Sequence, residues 1–463
     1  MDLGHSGAIK CRLQHFVIKA TRNGGKPQGQ RQPDQARVSG SRRIGGEIPG
    51  IHGLAEPAGH IGLCRKAPAR TDPAAIAVKQ GEIEVAKTVI DLFCGAGGLS
   101  EGFRQAGFSV LAGNDFNHCA GETFMASHAG AKFLEGPIEE FSVRDILNAT
   151  GLRAGELDCL IGGPPCQAFS VYNHQRGLHD KRSDLFKEYL RCVEGLKPKW
   201  VVMENVTGIN SVGNGKAVRE IMLRLGLLGY RVEKRILRAE EFGVPQERRR
   251  IFFIGNRLGL PIFWPNPTHG NGRLPLVTIS DALSDLPELK NGEDPGAQSY
   301  RTSVSSDYQK KLRGTSTMVH NHGAPRLSRI NLERMKHIPQ GGSWRDVPVH
   351  LLPKGMKRAR RCDHTKRYGR LHPDGLSGTI LTKCDIHWGA FIHPEQNRSL
   401  TVREAARLQS FPDWFIFSGP RTEQYVQVGN AVPPLVGAKI ANAVLAASGK
   451  MCDASVQEFA LAV

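Results

Sequence analysis

Periodic apolar spacing is missing from the first 84 residues and begins at Val85. The opening stretch is rich in Gly, Arg, Gln and Pro, as in RNGGKPQGQRQPDQARVSGSRRIGG, and sustains a period of neither 2 nor 3.6. Too few apolar side chains are present there to offset the entropy of ordering. Residues 1–84 are therefore expected to be a disordered basic extension or an over-long gene start. From Thr88 the pattern changes. TVIDLF reads as a buried strand, CGAGG as a turn and LSEGFRQAG as a helix ending on Gly107. FSVLAGND, LDCLIGG and KWVVMEN read as further strands, followed by YRVEKRILRA and RRRIFFIGN. Short continuous apolar strands separated by helices predict an α/β fold with a doubly wound, mostly parallel sheet. Such sheets bind ligands at the carboxyl ends of their strands.

After FWPNPTHG (Phe263–Gly270) the periodicity weakens and Gly, Pro, Arg and His dominate. A second, smaller, loop-rich domain is expected over 263–392, carrying the basic run MKRARRCDHTKRYGR. Clean helical spacing returns in SLTVREAARLQSFPDWF (Ser399–Phe415), where Thr401 and Glu404 form a capping box. A last helix follows in GNAVPPLVGAKIANAVLAAS, with Pro433 and Pro434 suited to its first turn. The expected division is 1–84 extension, 85–262 catalytic and cofactor-binding domain, 263–392 second domain, 393–450 return to the catalytic domain and 451–463 tail.

Composition narrows the partner. The 463 residues hold 62 Lys and Arg against 44 Asp and Glu, a net charge of +18 with a pI near 9.6. That surplus suits a polyanion, with nucleic acid the default, although general solubility accounts for charge alone equally well. No apolar run reaches the roughly 18 residues of a membrane span, and MDLGHSGAIK has no apolar leader segment. A cytoplasmic protein with reduced thiols and no membrane partner is expected. Its 10 cysteines contain no C-x-x-C. Cys362, His364, Cys384 and His387 lack standard finger spacing, so no metal is expected.

The chemistry-bearing residues fall at strand ends. Gly95, Gly97 and Gly98 lie between a strand and a helix, where glycines let backbone approach a ligand. Asp115 ends the next strand, placed to accept from ribose hydroxyls, and Phe116 beside it could lie on an adenine face. An adenosine-containing cofactor is the functional reading; a glycine turn needed only for packing is the plain one. Cys166 follows Pro164-Pro165 just past a strand, so its thiol is held by a stiff turn. Arg248 and Arg250 could supply the positive charge that activates it. Glu204, at the next strand end, is either an acid held protonated in a cleft or a structural partner of an arginine. Gln246, Arg248 and Arg250 alternate, which places them on one strand face.

In this order the motifs DLFCGAGGLS, GGPPCQAFS, ENV, QERRR, LTVREAARLQSFP and QVGNAVPP resemble those of the DNA (cytosine-5)-methyltransferases, over about residues 86–260 and 370–445. The resemblance implies a Rossmann-like fold and S-adenosylmethionine as cofactor. Phe93, Gly95, Gly97, Gly98, Asp115, Phe116, Ile138 and Asn430 would surround it. Cys166 matches the nucleophile and Glu204 the acid at N3 of the target cytosine. Arg250 matches the arginine that holds the base, with Arg248 its neighbour. Pro137 stands where the family often has an acid contacting the adenine amino group; cofactor binding is expected to survive this departure, with Ile138 still placed to pack on the ring. The interval between RRR and LTVRE matches the variable target recognition domain. There Lys357, Arg358, Arg360 and Arg361, with Gln167 and Ser170 beside the nucleophile, are assigned to DNA contact. The implied substrate is double-stranded DNA with the target base flipped out. The enzyme is expected to be a monomer, with a cognate restriction endonuclease acting separately. An RNA methyltransferase of the same family fits the long interval less well. A non-catalytic DNA-binding relative does not need Cys166 and Glu204, and an oxidoreductase leaves Pro-Pro-Cys unexplained.

Overall fold

The computed structural model describes residues 86–165, 185–211 and 215–449. In chain order the first half runs β1 (Thr88–Leu92), α1 (Gly98–Gln105), β2 (Ser109–Asp115), α2 (His118–Ser127), β3 (Lys132–Glu135), α3 (Val143–Thr150), β4 (Cys159–Gly162), α4 (Leu185–Leu196), β5 (Trp200–Val206), α5 (Lys216–Leu227), β6 (Arg231–Arg238) and β7 (Arg249–Asn256). These strands form one seven-stranded sheet ordered β3-β2-β1-β4-β5-β7-β6. Pairing is parallel from β3 to β5, and β7 enters antiparallel between β5 and β6. The mostly parallel, doubly wound α/β sheet expected from the apolar runs is therefore present. β3 adds a strand that apolar spacing does not predict: its four residues, KFLE, are only half-buried and carry no apolar run to read.

Alternate residues of the central strands feed two cores. Val89, Cys159, Ile161, Trp200, Val202, Phe252 and Ile254 face one side. Ile90, Leu92, Leu160, Val201, Met203, Ile251 and Phe253 face the other, under α3, α4 and α5. Strands covered on both faces need apolar residues at every position, which explains their continuous apolar runs. Cys159 and Cys192 are fully buried in these layers, as expected of structural thiols.

The second half contains α6 (Ile279–Leu283), β8 (Gln298–Ser299), α7 (Asp307–Arg313), β9 (Met318–Val319), α8 (Arg329–Lys336), α9 (Val402–Leu408), α10 (Arg421–Asn430) and α11 (Pro434–Ala447). Ile279, Leu283, Tyr308 and Leu312 join the same core as α9 and α11. The Arg407 side chain, wholly buried, pairs with Asp285 and Asp413, tying α9 to the segment after α6. A separate core begins further along and includes Met335, Trp344, Leu352, Tyr368, Ile386 and Ile392.

Thr401 and Glu404 form the expected capping box: Glu404 N donates to Thr401 Oγ1 at 3.2 Å and Thr401 N to Glu404 Oε2 at 2.7 Å. The helix it starts ends at Leu408, short of the Phe415 limit of the sequence pattern. Ser410 adopts φ +62° and Pro412 follows, so the chain turns although apolar spacing continues. Pro434 begins α11 and Pro433 caps it.

Candidate active site

The turn after β1 uses left-handed backbone at Phe93 (φ +58°), Gly95 (φ +53°) and Gly97 (φ +91°). A methyl group added at Gly95 would meet nothing within 4 Å, so this backbone faces open space. Gly95 N donates to Asp115 Oδ2 at 2.9 Å, and Asn117 N donates to Oδ1 at 3.0 Å. Burial raises the Asp115 carboxyl above its ordinary range, against these hydrogen bonds. Gly98 serves packing instead: an added Cβ would lie 2.5 Å from Val432 O. Beneath the turn, Ser100 Oγ donates to buried Asp91, whose carboxyl burial pushes up to about 7.

A buried imidazole supports the turn from below. His128 stacks on Phe124 with centroids 4.5 Å apart, and an added Cβ on Gly97 would lie 2.5 Å from its Cε1. Its Nδ1 lies 3.1 Å from Phe124 O, while Nε2 has no partner among the described residues. Burial lowers its pKa to about 4, so the ring is neutral near pH 7. Asp91 and Ser100 are the first and last residues of DLFCGAGGLS, but their pairing is not legible there; no motif contains His128, which lies 31 positions from Gly97.

At the next strand ends, β4 leads into Gly163-Pro164-Pro165, and β5 places Glu204 beside it. A Cβ on Gly163 would lie 3.2 Å from Glu204 Oε2, so glycine is what admits the carboxylate. Arg250 Nε pairs with Glu204 Oε1 at 2.9 Å. Burial raises the Glu204 pKa, with Arg250 and then Arg248 opposing. The pair with Arg250 matches the arginine-partner reading of Glu204. Asn205 Nδ2 donates to Pro164 O at 3.1 Å and pins the proline turn, a role legible only as part of ENV.

Gln246, Arg248 and Arg250 do share one face, alternating with exposed Glu247 and Arg249. Their partners diverge. Gln246 Nε2 donates to Leu408 O and Gln409 Oε1, while Ile380 N donates to Gln246 Oε1. Arg248 is 2% exposed and donates to Ala431 O at 2.8 Å and to Gly429 O at 3.3 Å. It therefore grips the backbone flanking Asn430, and the arginines of the motif that face the cleft are Arg249 and Arg250. This open cleft of about 310 Å³ is lined also by Thr207, Arg238, Glu247, Arg249 and Thr379.

Cys166, Gln167 and Ser170 lie outside the described residues. Phe116 is 69% exposed beside Asp115, a large uncovered ring as a stacking role requires. Ile138 is buried in the second core, whereas Asn430 is exposed. Pro137 opens a short 3-10 turn, and Asn114 Nδ2 ties down the Gly136 carbonyl before it. Lys357, Arg358, Arg360 and Arg361 are exposed, with Arg360 paired to Asp363 at 3.1 Å. Among the described residues no three His, Cys, Asp or Glu side chains gather as a metal site; Cys384 is buried and Cys362 exposed.

The order of these strand-end residues is matched as a whole: residues 87–446 fit the model of the C-5 cytosine-specific DNA methylase family. The chain belongs to this family. It is similar to the type II methyltransferase M.AgeI of Thalassovita gelatinovora, 34% identical over 77% of this chain and 98% of that one. It is also similar to M1.HphI of Haemophilus parahaemolyticus, 37% identical over 77% and 86%. A crystal structure described as a DNA modification methyltransferase encoded within an Escherichia coli prophage superposes with TM-score 0.64 at 26% identity, over 79% of this chain and all of that one. This cytosine-5 DNA methyltransferase thus has the fold and activity class that its motifs imply. No described helix is long and apolar enough to cross a membrane.

Proposed function

We propose that the enzyme methylates C5 of a cytosine flipped out of a specific duplex DNA sequence, through a transient bond between Cys166 and C6. The observation that carries this reading is Glu204, a buried carboxyl held by Arg250 against Gly163, at the start of the proline turn that runs into Cys166. The Cys166 thiolate adds to C6, which makes C5 nucleophilic. Glu204 delivers its proton toward N3 and stabilises the developing charge. Arg250 orients the base through its guanidinium. Once C5 carries the methyl group that the cofactor would supply, a base takes the C5 proton, the Cys166–C6 bond breaks, and N3 returns its proton to Glu204.

S-adenosylmethionine fits the turn after β1, where Gly95 faces open space and Asp115 ends the adjacent strand; it supplies an electrophilic methyl group. Phe93, Gly95, Gly97, Asp115 and Phe116 would hold it, with Asn430 at the rim. Pro137 offers neither a backbone N–H nor an acid, so adenine recognition rests on the remaining groups. Gly98 and Arg248 act by positioning.

Residues 85–262 and 393–450 make the catalytic domain in this reading, and 263–392 the target recognition domain, whose α6 and α7 pack into the catalytic core. The second core, formed around Met335, Trp344, Tyr368 and Ile386, supports a reading module within it. Residues 1–84 and 451–463 remain an extension and a tail. The enzyme acts as a cytoplasmic monomer, with any restriction endonuclease a separate protein.

Trapping tests the proposal. A duplex carrying 5-fluorocytosine at the target should form a covalent adduct with wild-type enzyme plus S-adenosylmethionine, because the C5 fluorine cannot leave as a proton. The Cys166→Ala variant should form none. Equal adduct formation by both proteins would reject the assignment.

A further inference from the structure

Trp388 is unlike the other four tryptophans of the chain. Trp200, Trp264 and Trp344 are 1%, 7% and 4% exposed, and Trp414 is half-buried beneath Arg104. Trp388 is 61% exposed. It sits in a short turn closed by its own N–H donating to Asp385 O at 3.0 Å. That turn is bonded to the 366–370 loop: Tyr368 N donates to Ile386 O at 2.7 Å and Gly369 N to Gly389 O at 3.3 Å. The backbone beneath the indole is therefore fixed, anchored in the separate core by Tyr368 and Ile386.

The loop brings charge with it. The Arg367 guanidinium lies 4.8 Å from the Trp388 ring centroid, a cation–π pair. Lys366 reaches the other way, to Glu247 Oε2 at 3.4 Å on the wall of the cleft beside Arg250. One hydrogen-bonded loop pair thus carries an uncovered indole and an ion pair to Glu247, on the wall of the cleft that Arg250 lines. Exposing most of an indole is costly unless a partner covers it. Arg367 over the ring, with the exposed basic run 357–361 in the same module, disfavours an apolar protein surface. An indole backed by a guanidinium suits a DNA groove, where it can pack on base edges and thymine methyl groups.

We propose that Trp388, backed by Arg367, is a base-contacting element of the DNA-reading module, its indole packing on base edges in a groove of the bound duplex. The proposal rests on the reading of this module as the DNA-facing part of the enzyme. A base contact also makes a distinctive prediction. It releases no counterions, so its loss weakens binding without changing the salt slope.

The test uses full-length enzyme and sheared, unmethylated plasmid DNA. In free wild-type protein, acrylamide should quench one tryptophan readily, and the Trp388→Phe variant should lack that component. Saturating DNA should protect it. Trp388→Ala should bind the same DNA roughly 10-fold more weakly, with an unchanged slope of log affinity against log salt and unchanged S-adenosylmethionine affinity. The cofactor measurement also verifies folding. A Trp388 that stays quenchable in the DNA-saturated complex, or an alanine variant that binds as tightly as wild type, would overturn the proposal. Failure of wild type itself to bind DNA would instead overturn the underlying reading, and the proposal with it. Protection by a structured RNA but not by DNA would overturn the choice of duplex DNA.

Discussion

Glu204 sits where its charge is disfavoured by burial and favoured by Arg250, and that opposition sets its chemistry. Its pKa is raised, so in the proposed reaction the proton it would deliver is retained above the ordinary carboxyl range. Catalysis by wild type should decline as pH climbs through that raised value, whereas the Glu204→Gln variant should lack this limb. The variant should also be slower by roughly 10²–10⁴-fold, the usual yield of a positioned acid. Rates of methyl transfer measured across pH check both expectations. His128 gives a second residue-scale prediction. Its folded pKa, about 4, lies below the ordinary 6.5, so the unfolded chain binds the proton first. Its contribution to stability is complete above pH 6.5 and is lost progressively toward pH 4, by about 3 kcal/mol. Asp91 acts in the opposite sense: its folded pKa is raised to about 7, so its contribution is lost as pH rises from 3.8 toward 7. Comparing thermal midpoints of wild type and His128→Phe from pH 7 to 4 isolates the histidine; the variant should lose less stability. Glu204 is legible in the sequence because it ends an apolar run. His128 is not, since its partners, Gly97 and Phe415, are assembled only by the fold.

At the scale of elements, the strand β7 is held to the end of the chain by Gln246 and Arg248. Their carbonyl partners, at Leu408, Gly429 and Ala431, lie more than 160 positions away. Period-2 spacing predicts that Gln246, Arg248 and Arg250 share a face, and they do. Spacing says nothing of what each side chain meets, so a clamp and a base-orienting group look alike in sequence. Replacing Arg248 by Met should leave those carbonyls without their buried donor, at about 1–3 kcal/mol. Chemical denaturation measures the loss, and the cofactor dissociation constant should rise with it as the Asn430 segment loosens. The Arg407 network should be less forgiving. Arg407→Met would leave Asp285 only its longer pair with Arg313, and Asp413 only Tyr300 and the more distant Arg403, costing up to about 3–5 kcal/mol in the same assay. Neither acid could be paired with Arg407 from sequence, because Asp285 belongs to the weakly periodic region after Phe263. The same limit explains β3, whose half-exposed KFLE has no apolar run, and the early end of α9, which a positive φ at Ser410 dictates against continuing apolar spacing.

For the whole molecule, the continuous apolar runs of β1, β4 and β5 reveal the parallel sheet because both faces of each are covered. The antiparallel entry of β7 has no such signature; strand direction depends on connections, not on local pattern. Apolar spacing also could not show that Ile279 to Leu312 pack into the catalytic core, while a second core starts only near Met335. The surplus of positive charge, +18, becomes informative once a DNA-modifying fold is established. Affinity for DNA should fall steeply with salt. Replacing Lys357, Arg358, Arg360 and Arg361 by Gln should flatten that slope by about 0.9 for each phosphate no longer neutralised, as fluorescence anisotropy across a salt series would record.

The most direct test reads the product on DNA. Plasmid DNA from a methylation-deficient host expressing the wild-type chain should, after bisulfite sequencing, keep unconverted cytosine at one recurring sequence and nowhere else. Hosts expressing Cys166→Ala should yield fully converted DNA. Complete conversion with the wild type, or protection that survives the loss of Cys166, would contradict the account.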